Sequence, residues 1–404
     1  MISAKEATDI IAANSKGWGT ECIDIKTCSG RVLMEDILAD RDFPPFHRVT
    51  MDGIAIRSED FQKGCREFEI EEMQQAGAQQ KALNRPNCAH EIMTGAVLSK
   101  GADAVIRYED LGLRERNGKK YARVNIREVL AWKNVHLKGS DKQSGAVLLK
   151  AGNVLSAADV AILASVGQQK VKVSKLPKVA IISTGDELVE VNQTPEPHQI
   201  RMSNSVMIET KLNELGIENG RFHLPDDYQK LKEKIGEILN AFDVLLLSGG
   251  VSKGKADFVP QVLQELGVQK LFHRVAQRPG KPFWFGKSNE GKVVFALPGN
   301  PISTFMCFVV YFLPWLGFSA GRSKTENAYA QLSEDCTFKP ELTYFLQVSC
   351  TVSSEGNVVA APQEGGGSGD LSNLSKSGGF LELPFDRFDF KKGESFRVYL
   401  YRDF

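Results

Sequence analysis

The chain has 404 residues, 42% of them hydrophobic, with 50 acidic against 50 basic side chains. That length and apolar content allow about two to four domains with sizeable cores, and zero formal charge excludes a global electrostatic drive towards nucleic acid. The seven cysteines, odd in number and without CxxC spacing, argue against structural disulfides or zinc and for a reducing cytoplasm.

No secretory leader is read at the N-terminus. Ser3-Ala-Lys-Glu6 is a capping box, and Ala7, Ile10 and Ile11 give the helix it starts an apolar stripe. A short extended segment follows around Arg31 to Ile37. The run Phe43-Pro-Pro-Phe-His-Arg-Val-Thr-Met-Asp-Gly-Ile-Ala-Ile56 is irregular where its prolines fall and ends as a strand. Asp52-Gly53 within it is also ordinary turn chemistry. Onward to about residue 140 the pattern is β-rich. Ala104 to Tyr108 and Tyr121 to Ile126 are predicted strands, with Asn117-Gly118 as the hairpin turn between them. Ile92 to Ala96 and Gly139 to Asp141 are polar loops of this module.

Ser156-Ala-Ala-Asp159 restarts helix, predicted over Ala157 to Val166 and stopped by Gly167. With the first helix it is expected to form a platform that brackets the β-rich module. Val179 to Thr184 then reads as a buried strand running into a glycine loop with two carboxylates, Asp186 and Glu187. Ile208, Leu212 and Leu215 make one helix face, ended by Gly216, and Leu231, Ile235, Ile238 and Leu239 make another. Asp243-Val-Leu-Leu-Leu-Ser-Gly-Gly-Val-Ser-Lys-Gly-Lys-Ala-Asp257 is strand, glycine loop and helix start. Asp257 is the predicted N-cap, Pro260 lies in the first turn, and Phe258, Val262 and Leu266 form the apolar face.

Ligands of open α/β sheets sit at the carboxyl ends of such strands, where glycines leave amides for an anion. The loop is also a near miss to a triphosphate-binding loop, with Ala256 where a hydroxyl would hold magnesium. Arg274-Val-Ala-Gln-Arg278-Pro-Gly-Lys281-Pro carries three cations on a segment its prolines keep from being helical. Those cations face either solvent or an anion. Val293 to Leu297 is a third buried strand, followed by Asn300 as N-cap and Pro301 as the first helical residue, whose helix N-terminus also suits an oxyanion. Ile302 to Phe318, the most apolar segment, contains Pro314 and is expected as a buried core helix rather than a membrane span. Beyond about residue 325, Tyr344 to Val352, Val358 to Ala361, Phe380 to Pro384 and Phe396 to Tyr401 are predicted strands of an all-β module. Gly365 to Gly369 reads as a slack linker by composition, or as a loop closing over a ligand by position. The fold class is α/β and multidomain, with a doubly wound central sheet.

In this order, MDG, TGA with GADAV, STGDEL, SGGVSKG with AD, RPGKP and LPGNP resemble the molybdopterin molybdenumtransferase family, MoeA and the E domain of gephyrin. No single motif is decisive, but the ordered set is specific. The central module also looks like the molybdopterin adenylyltransferases. The resemblance implies a helical linker platform (1–40 with 142–170), a β-rich module (41–141), an α/β molybdopterin-binding domain (171–324) and a C-terminal β barrel (325–404). It implies a cytoplasmic homodimer with its active site between the α/β domain of one subunit and the β-rich module of the other. Adenylylated molybdopterin and molybdate are then the substrates, Mg2+ assists, and AMP leaves. Molybdopterin adenylyltransferase and molybdoenzyme apoproteins are expected partners; no nucleic acid or membrane is.

Residue by residue, the resemblance places Arg278, Lys281, Ser303 and Ser368 around molybdate, with Gln347 nearby. Thr184, Gly185, Asp186, Ser248, Gly249, Gly250, Ser252, Arg274, Pro298, Gly299, Asn300 and Pro301 are expected to bind the pterin substrate. Glu187, Asp226 and Asp257 are expected to hold the metal and, with Lys281, to act in catalysis. Asp52, Thr94 and Asp141 would reach the site from the partner subunit. The sequence departs from the family in several places. Arg274 and Arg278 stand for lysines, Gln347 for an arginine, His47-Arg48 for Asp-Asn and Met202 for an Asp, while Lys253 and Lys255 are additions. A non-catalytic dimeric scaffold of the gephyrin type and a molybdopterin adenylyltransferase are the alternatives.

Overall fold

A computed structural model describes residues 1–250, 258–322, 328–363 and 365–402. The chain divides into two compact units, one of residues 1–34, 152–156 and 170–404, the other of residues 35–151 and 157–169.

The larger unit is built on a six-stranded sheet in the order 219–224, 179–184, 244–248, 293–297, 284–288 and 268–273. The first four strands run parallel, 284–288 runs against them, and 268–273 pairs antiparallel with 284–288 at the edge. Every residue of Val179–Thr184, Val244–Ser248 and Val293–Leu297 is buried, as strands covered on both faces require. Because side chains alternate, Val179 and Ile181 enter a core shared with Ile208 and Leu212, while Ala180 and Ile182 enter one with Leu231, Ile235 and Val262. Helices thus cover both faces, as the α/β periodicity predicts. The register Ser183↔Ser248↔Leu297, with Thr184↔Leu224, brings the carboxyl ends of all four parallel strands to one rim. The motif loops leave from that rim.

Pro301–Ser319 is long and apolar enough to cross a membrane, but most of it is buried in the first core. It runs as α-helix to Cys307, as a π-helical turn over Phe308–Phe312 and as α-helix again from Leu313. Pro314 supplies no N–H to the Val310 carbonyl one turn back, and a widened turn relieves the clash of its ring. The helix Ala4–Ala13 keeps its capping box and buries Ala4, Ala7 and Ile11 in the same core.

The C-terminal strands Tyr329–Leu332, Thr343–Val352, Val358–Pro362, Gly379–Leu383 and Ser395–Leu400 close into a five-stranded barrel, because the 343–352 strand pairs with both 358–362 and 379–383. Four of these follow the sequence reading within two residues. Tyr329–Leu332 was not legible, since only Ala330 and Leu332 of its four residues reach the core. Gly365 to Gly369 is not a slack linker. Asp370 accepts from the Gly366 N–H (2.9 Å) and Ser368 accepts from the Ile302 N–H (3.1 Å), which ties the loop to the start of the core helix.

The smaller unit holds a second six-stranded sheet in the order 104–107, 53–56, 88–92, 67–74, 119–124 and 111–116. Asn117-Gly118 does form a hairpin turn, both residues having positive φ, but it joins Leu111–Arg116 to Lys119–Val124. Ala104–Arg107 pairs instead with Gly53–Ile56. A 3-10 turn over Tyr108–Asp110 separates it from the hairpin, and the polar edge strand after that turn carries no strand signal of its own. Gly53 is required by close approach: a Cβ there would lie 1.8 Å from the Ile106 carbonyl oxygen.

Candidate active site

A cavity of about 650 Å³ in the larger unit is lined by Arg278, Lys281, Ser303, Gln347 and Ser368. Three segments distant in sequence meet there: the basic loop after the sheet edge, the start of the core helix and the glycine loop of the barrel. Pro298 and Asn300 contribute to its wall, whereas Arg274 does not. Arg274 sits at φ +74 with its N–H bonded to the Phe283 carbonyl, serving the base of the loop. The Arg278 guanidinium lies 5.9 Å from the Phe338 ring centroid, and Phe338 stacks on Tyr344 at 4.2 Å. A planar cation seated on an aromatic ring presents its donors along its edge, which a lysine here would not do.

Asn300 occupies the cap position of the core helix and Pro301 is the first helical residue, as predicted. The Asn300 side chain does not cap, however. It donates to the Ser368 hydroxyl at 2.9 Å and so couples the two loops across the cavity wall. Ser303, 4% exposed, sits one turn in.

Next to this wall, the rim loops pack glycine against backbone. A Cβ on Gly249 would meet the Thr184 carbonyl oxygen at 2.8 Å, and one on Gly250 would meet Val259 Cγ2 at 2.7 Å and Thr184 Oγ1 at 2.9 Å. Both glycines have positive φ. The Gly249 N–H bonds the Leu297 carbonyl at 3.3 Å, so that amide braces the rim instead of being left for an anion. Thr184 Oγ1 is buried with no partner among the described residues, an orphan polar atom at the centre of the loops. Ser252 and Asp257 lie outside the described residues.

One residue not singled out from sequence binds this rim together. Asn204 Nδ2 donates to the Gly299 carbonyl (2.7 Å), lies 2.9 Å from the Ser248 hydroxyl and 3.2 Å from Thr304 Oγ1. A strand end, the loop after the next strand and the core helix thus converge on one amide. The available signal was an amide residue between two serines, directly before the apolar face of its helix. Met202, one of the departures, is buried at the cap position of that helix.

The carboxylates gather at the ends of two neighbouring strands. Asp186 Oδ1 accepts from the Asp226 N–H at 3.3 Å, and the Glu187 carboxylate folds so closely over Gly185 that a Cβ there would lie 2.4 Å from it. His223 Nε2 donates to the Gly185 carbonyl at 2.9 Å and fixes the loop from the adjacent strand. Among the described residues no cluster of three or more His, Cys, Asp or Glu is placed to hold a metal. Magnesium asks for less, typically one or two carboxylates with water and phosphate completing its shell, and this all-oxygen donor set fits it.

The smaller unit carries Asp52, Thr94 and Asp141. Asp52 Oδ1 accepts from both the Thr94 N–H (2.6 Å) and its hydroxyl (2.7 Å). These bonds, the backbone one foremost, hold the Asp52 carboxyl below the usual range. Asp141 Oδ1 lies 2.7 Å from His136 Nε2, and Arg48 Nη2 lies 3.1 Å from His136 Nδ1. Arginine only donates, so His136 accepts at Nδ1 and donates from Nε2 to Asp141. The His47 ring packs at a tilt against Trp132, with 4.8 Å between centroids, and accepts from the Lys138 N–H. The His47-Arg48 departure is thereby built into the walls of the loop that carries Asp141.

Comparison with known proteins covers the whole chain. Residues 2–167 match the MoeA N-terminal region (domain I and II), residues 180–317 a probable molybdopterin binding domain, and residues 329–401 the MoeA C-terminal region (domain IV). A molybdopterin molybdenumtransferase of Synechocystis sp. is 39% identical over 401 residues, 99% of this chain and 100% of the relative. One of Staphylococcus epidermidis is 32% identical, covering 99% and 95%. Among solved structures, a molybdopterin biosynthesis MoeA protein from Pyrococcus horikoshii superposes with a TM-score of 0.83 at 30% identity, over 99% of this chain and 100% of that one. Ordered motifs, architecture and full-length similarity agree, and the chain belongs to the MoeA family of molybdopterin molybdenumtransferases.

Proposed function

We propose that this enzyme inserts molybdate into adenylylated molybdopterin with release of AMP, a step of molybdenum cofactor biosynthesis. The observation that carries the reading is the convergence of Arg278, Lys281, Ser303 and Ser368 on one cavity. Molybdate is a tetrahedral dianion, and a guanidinium, an ammonium and two hydroxyls supply donors from several directions. Splitting the phosphoanhydride builds charge on phosphate oxygens, and positioned cations stabilise it most effectively where water is scarce.

Glu187 and Asp226 would hold Mg2+, which supplies charge neutralisation at the phosphates when bound. The glycine turns after Thr184 and Ser248, the second braced by Asn204, shape the floor for the pterin. Ser183, one residue before the end of its strand, pairs with Ser248 at the end of the next, so the two floor loops leave the sheet within one residue of the same level. In this reading the enzyme works as a cytoplasmic homodimer of four-module subunits, and Asp52, Thr94 and Asp141 are supplied by the partner. Incubation with adenylylated molybdopterin, magnesium and molybdate tests it: molybdate-dependent AMP release is expected, and none at all would remove the assignment.

Gln347 favours one competing reading, a dimeric scaffold without catalysis. Its Oε1 is buried without a partner among the described residues, where the family has a cation. Arg278 and Lys281 keep two cations on the cavity and weigh against that reading. Pterin affinity by calorimetry separates the two, since a scaffold need have none.

A further inference from the structure

The basic loop that brings Arg278 and Lys281 to the cavity is held from behind by an internal amide. Its ends are closed by backbone bonds from the Arg274 N–H to the Phe283 carbonyl (2.8 Å) and from the Val275 N–H to the Lys281 carbonyl (3.0 Å). Gln277 and Arg278 pair in parallel with Thr343 and Tyr344 of the barrel. Within the loop, Gln277 is completely buried, and its Nε2 donates to the Gly280 carbonyl at 3.0 Å and approaches Cys307 Sγ at 3.6 Å. The Gly280 carbonyl can only accept, so the NH2 end of the amide must face it. Oε1 therefore faces Tyr311, whose hydroxyl donates to it.

Tyr311 lies in the π-helical turn Phe308–Phe312 and is 2% exposed; its burial pushes the phenol well above its ordinary titration range, so it stays a donor. Gly280 completes the arrangement. A Cβ there would lie 2.8 Å from Cys307 Sγ, 2.8 Å from Met306 Cε and 2.9 Å from Gln277 Nε2, so the loop rests directly on the core helix. With its inner side pressed on that helix, the loop leaves Arg278 and Lys281 exposed on the other.

We propose that Gln277 and Tyr311 are positioning residues for oxyanion binding: the Tyr311–Gln277–Gly280 chain of hydrogen bonds, with both side chains buried, fixes the loop so that Arg278 and Lys281 face one anion. The claim rests on the reading that this cavity takes molybdate. Apart from the weak contact of Gln277 Nε2 with Cys307 Sγ, the side-chain groups of the chain are paired with one another, so losing one leaves the loop carbonyl or the amide short of a partner in a dry core. Displacing two cations by a fraction of an ångström then weakens the anion without altering the chemistry that follows.

The test uses the full chain and sodium molybdate, with equilibrium binding by calorimetry and steady-state AMP release for wild type, Gln277→Met, Tyr311→Phe and the double variant. Gln277→Met is expected to weaken molybdate on the order of ten-fold, raising its KM while kcat at saturating molybdate changes little. The double variant is expected to bind no more weakly than Gln277→Met, because both changes break one chain. Wild-type affinity in both single variants, or losses that multiply in the double, would overturn the proposal while leaving the functional reading standing. Failure of wild type to bind molybdate would instead bring down the functional reading and this proposal with it. If Gln277→Met does not fold, Tyr311→Phe, which removes one oxygen, carries the test by the same KM and kcat comparison.

Discussion

The Asp52 carboxylate and Thr94 form a two-bond clamp, with the backbone N–H of Thr94 at 2.6 Å and its hydroxyl at 2.7 Å from the same oxygen. Both bonds favour the charged carboxylate, and the folded pKa is lowered. A group depressed in this way contributes stability above its unfolded pKa and loses it as pH falls through the folded value. Thr94→Val removes the hydroxyl but keeps the N–H. The Asp52 pKa should move up towards its ordinary value, and the acid limb of the pH–activity profile should move to higher pH with it. A pH titration of AMP release checks this, and an unmoved acid limb would show that Asp52 does not set it.

Asn204 should matter out of proportion to its size. Asn204→Ala breaks the bond to the Gly299 carbonyl and the contacts to Ser248 and Thr304. Leaving those groups unpaired at a partly buried rim should cost about 1–3 kcal/mol, read as a lower denaturation midpoint. AMP release should fall as well, since the strand end, the loop and the helix start lose their common brace. Asn204→Asp, which keeps the size but not the donor to the carbonyl, should not rescue it.

Gly249 tolerates no side chain. Its φ is positive, and any Cβ would stand 2.8 Å from the Thr184 carbonyl oxygen; both are backbone constraints that cannot yield. Gly249→Ala should destabilise by roughly 1–3 kcal/mol, measured by chemical denaturation, and should disturb substrate binding with it.

Gln347 offers a change in the favourable direction. Its Oε1 is a buried acceptor without a partner among the described residues, on a wall that also carries Arg278 and Lys281. Gln347→Arg should tighten molybdate binding by calorimetry, by about ten-fold, or about 1.4 kcal/mol. Equal affinity in both proteins would mean that position 347 does not face the anion.

Much of the fold was legible because its strands are buried on both faces and its helices keep one apolar stripe. Val179–Thr184, Val244–Ser248 and Val293–Leu297 each open on an apolar run of at least four residues, and each leads into a glycine-bearing loop. The edge strand 111–116 and the barrel strand 329–332 were hidden, because half-exposed strands carry few apolar residues. At the site, the loops could be read but not every side-chain task. Asn300 has the composition of a helix cap and spends its amide on Ser368 instead, a contact across 68 residues that local sequence cannot encode. Asn204 and the Gln277–Tyr311 pair were missed for the same reason: their partners are brought near only by the tertiary fold.

The most direct measurement is molybdate binding to wild type and to Lys281→Ala, each checked for an unchanged melting temperature. Lys281 is exposed on the cavity wall, so its truncation should leave the fold intact. The account predicts saturable binding by wild type and the loss of most of that affinity, with AMP release, in the variant. Equal binding by both proteins would contradict it, because the cavity would then not be where the oxyanion sits.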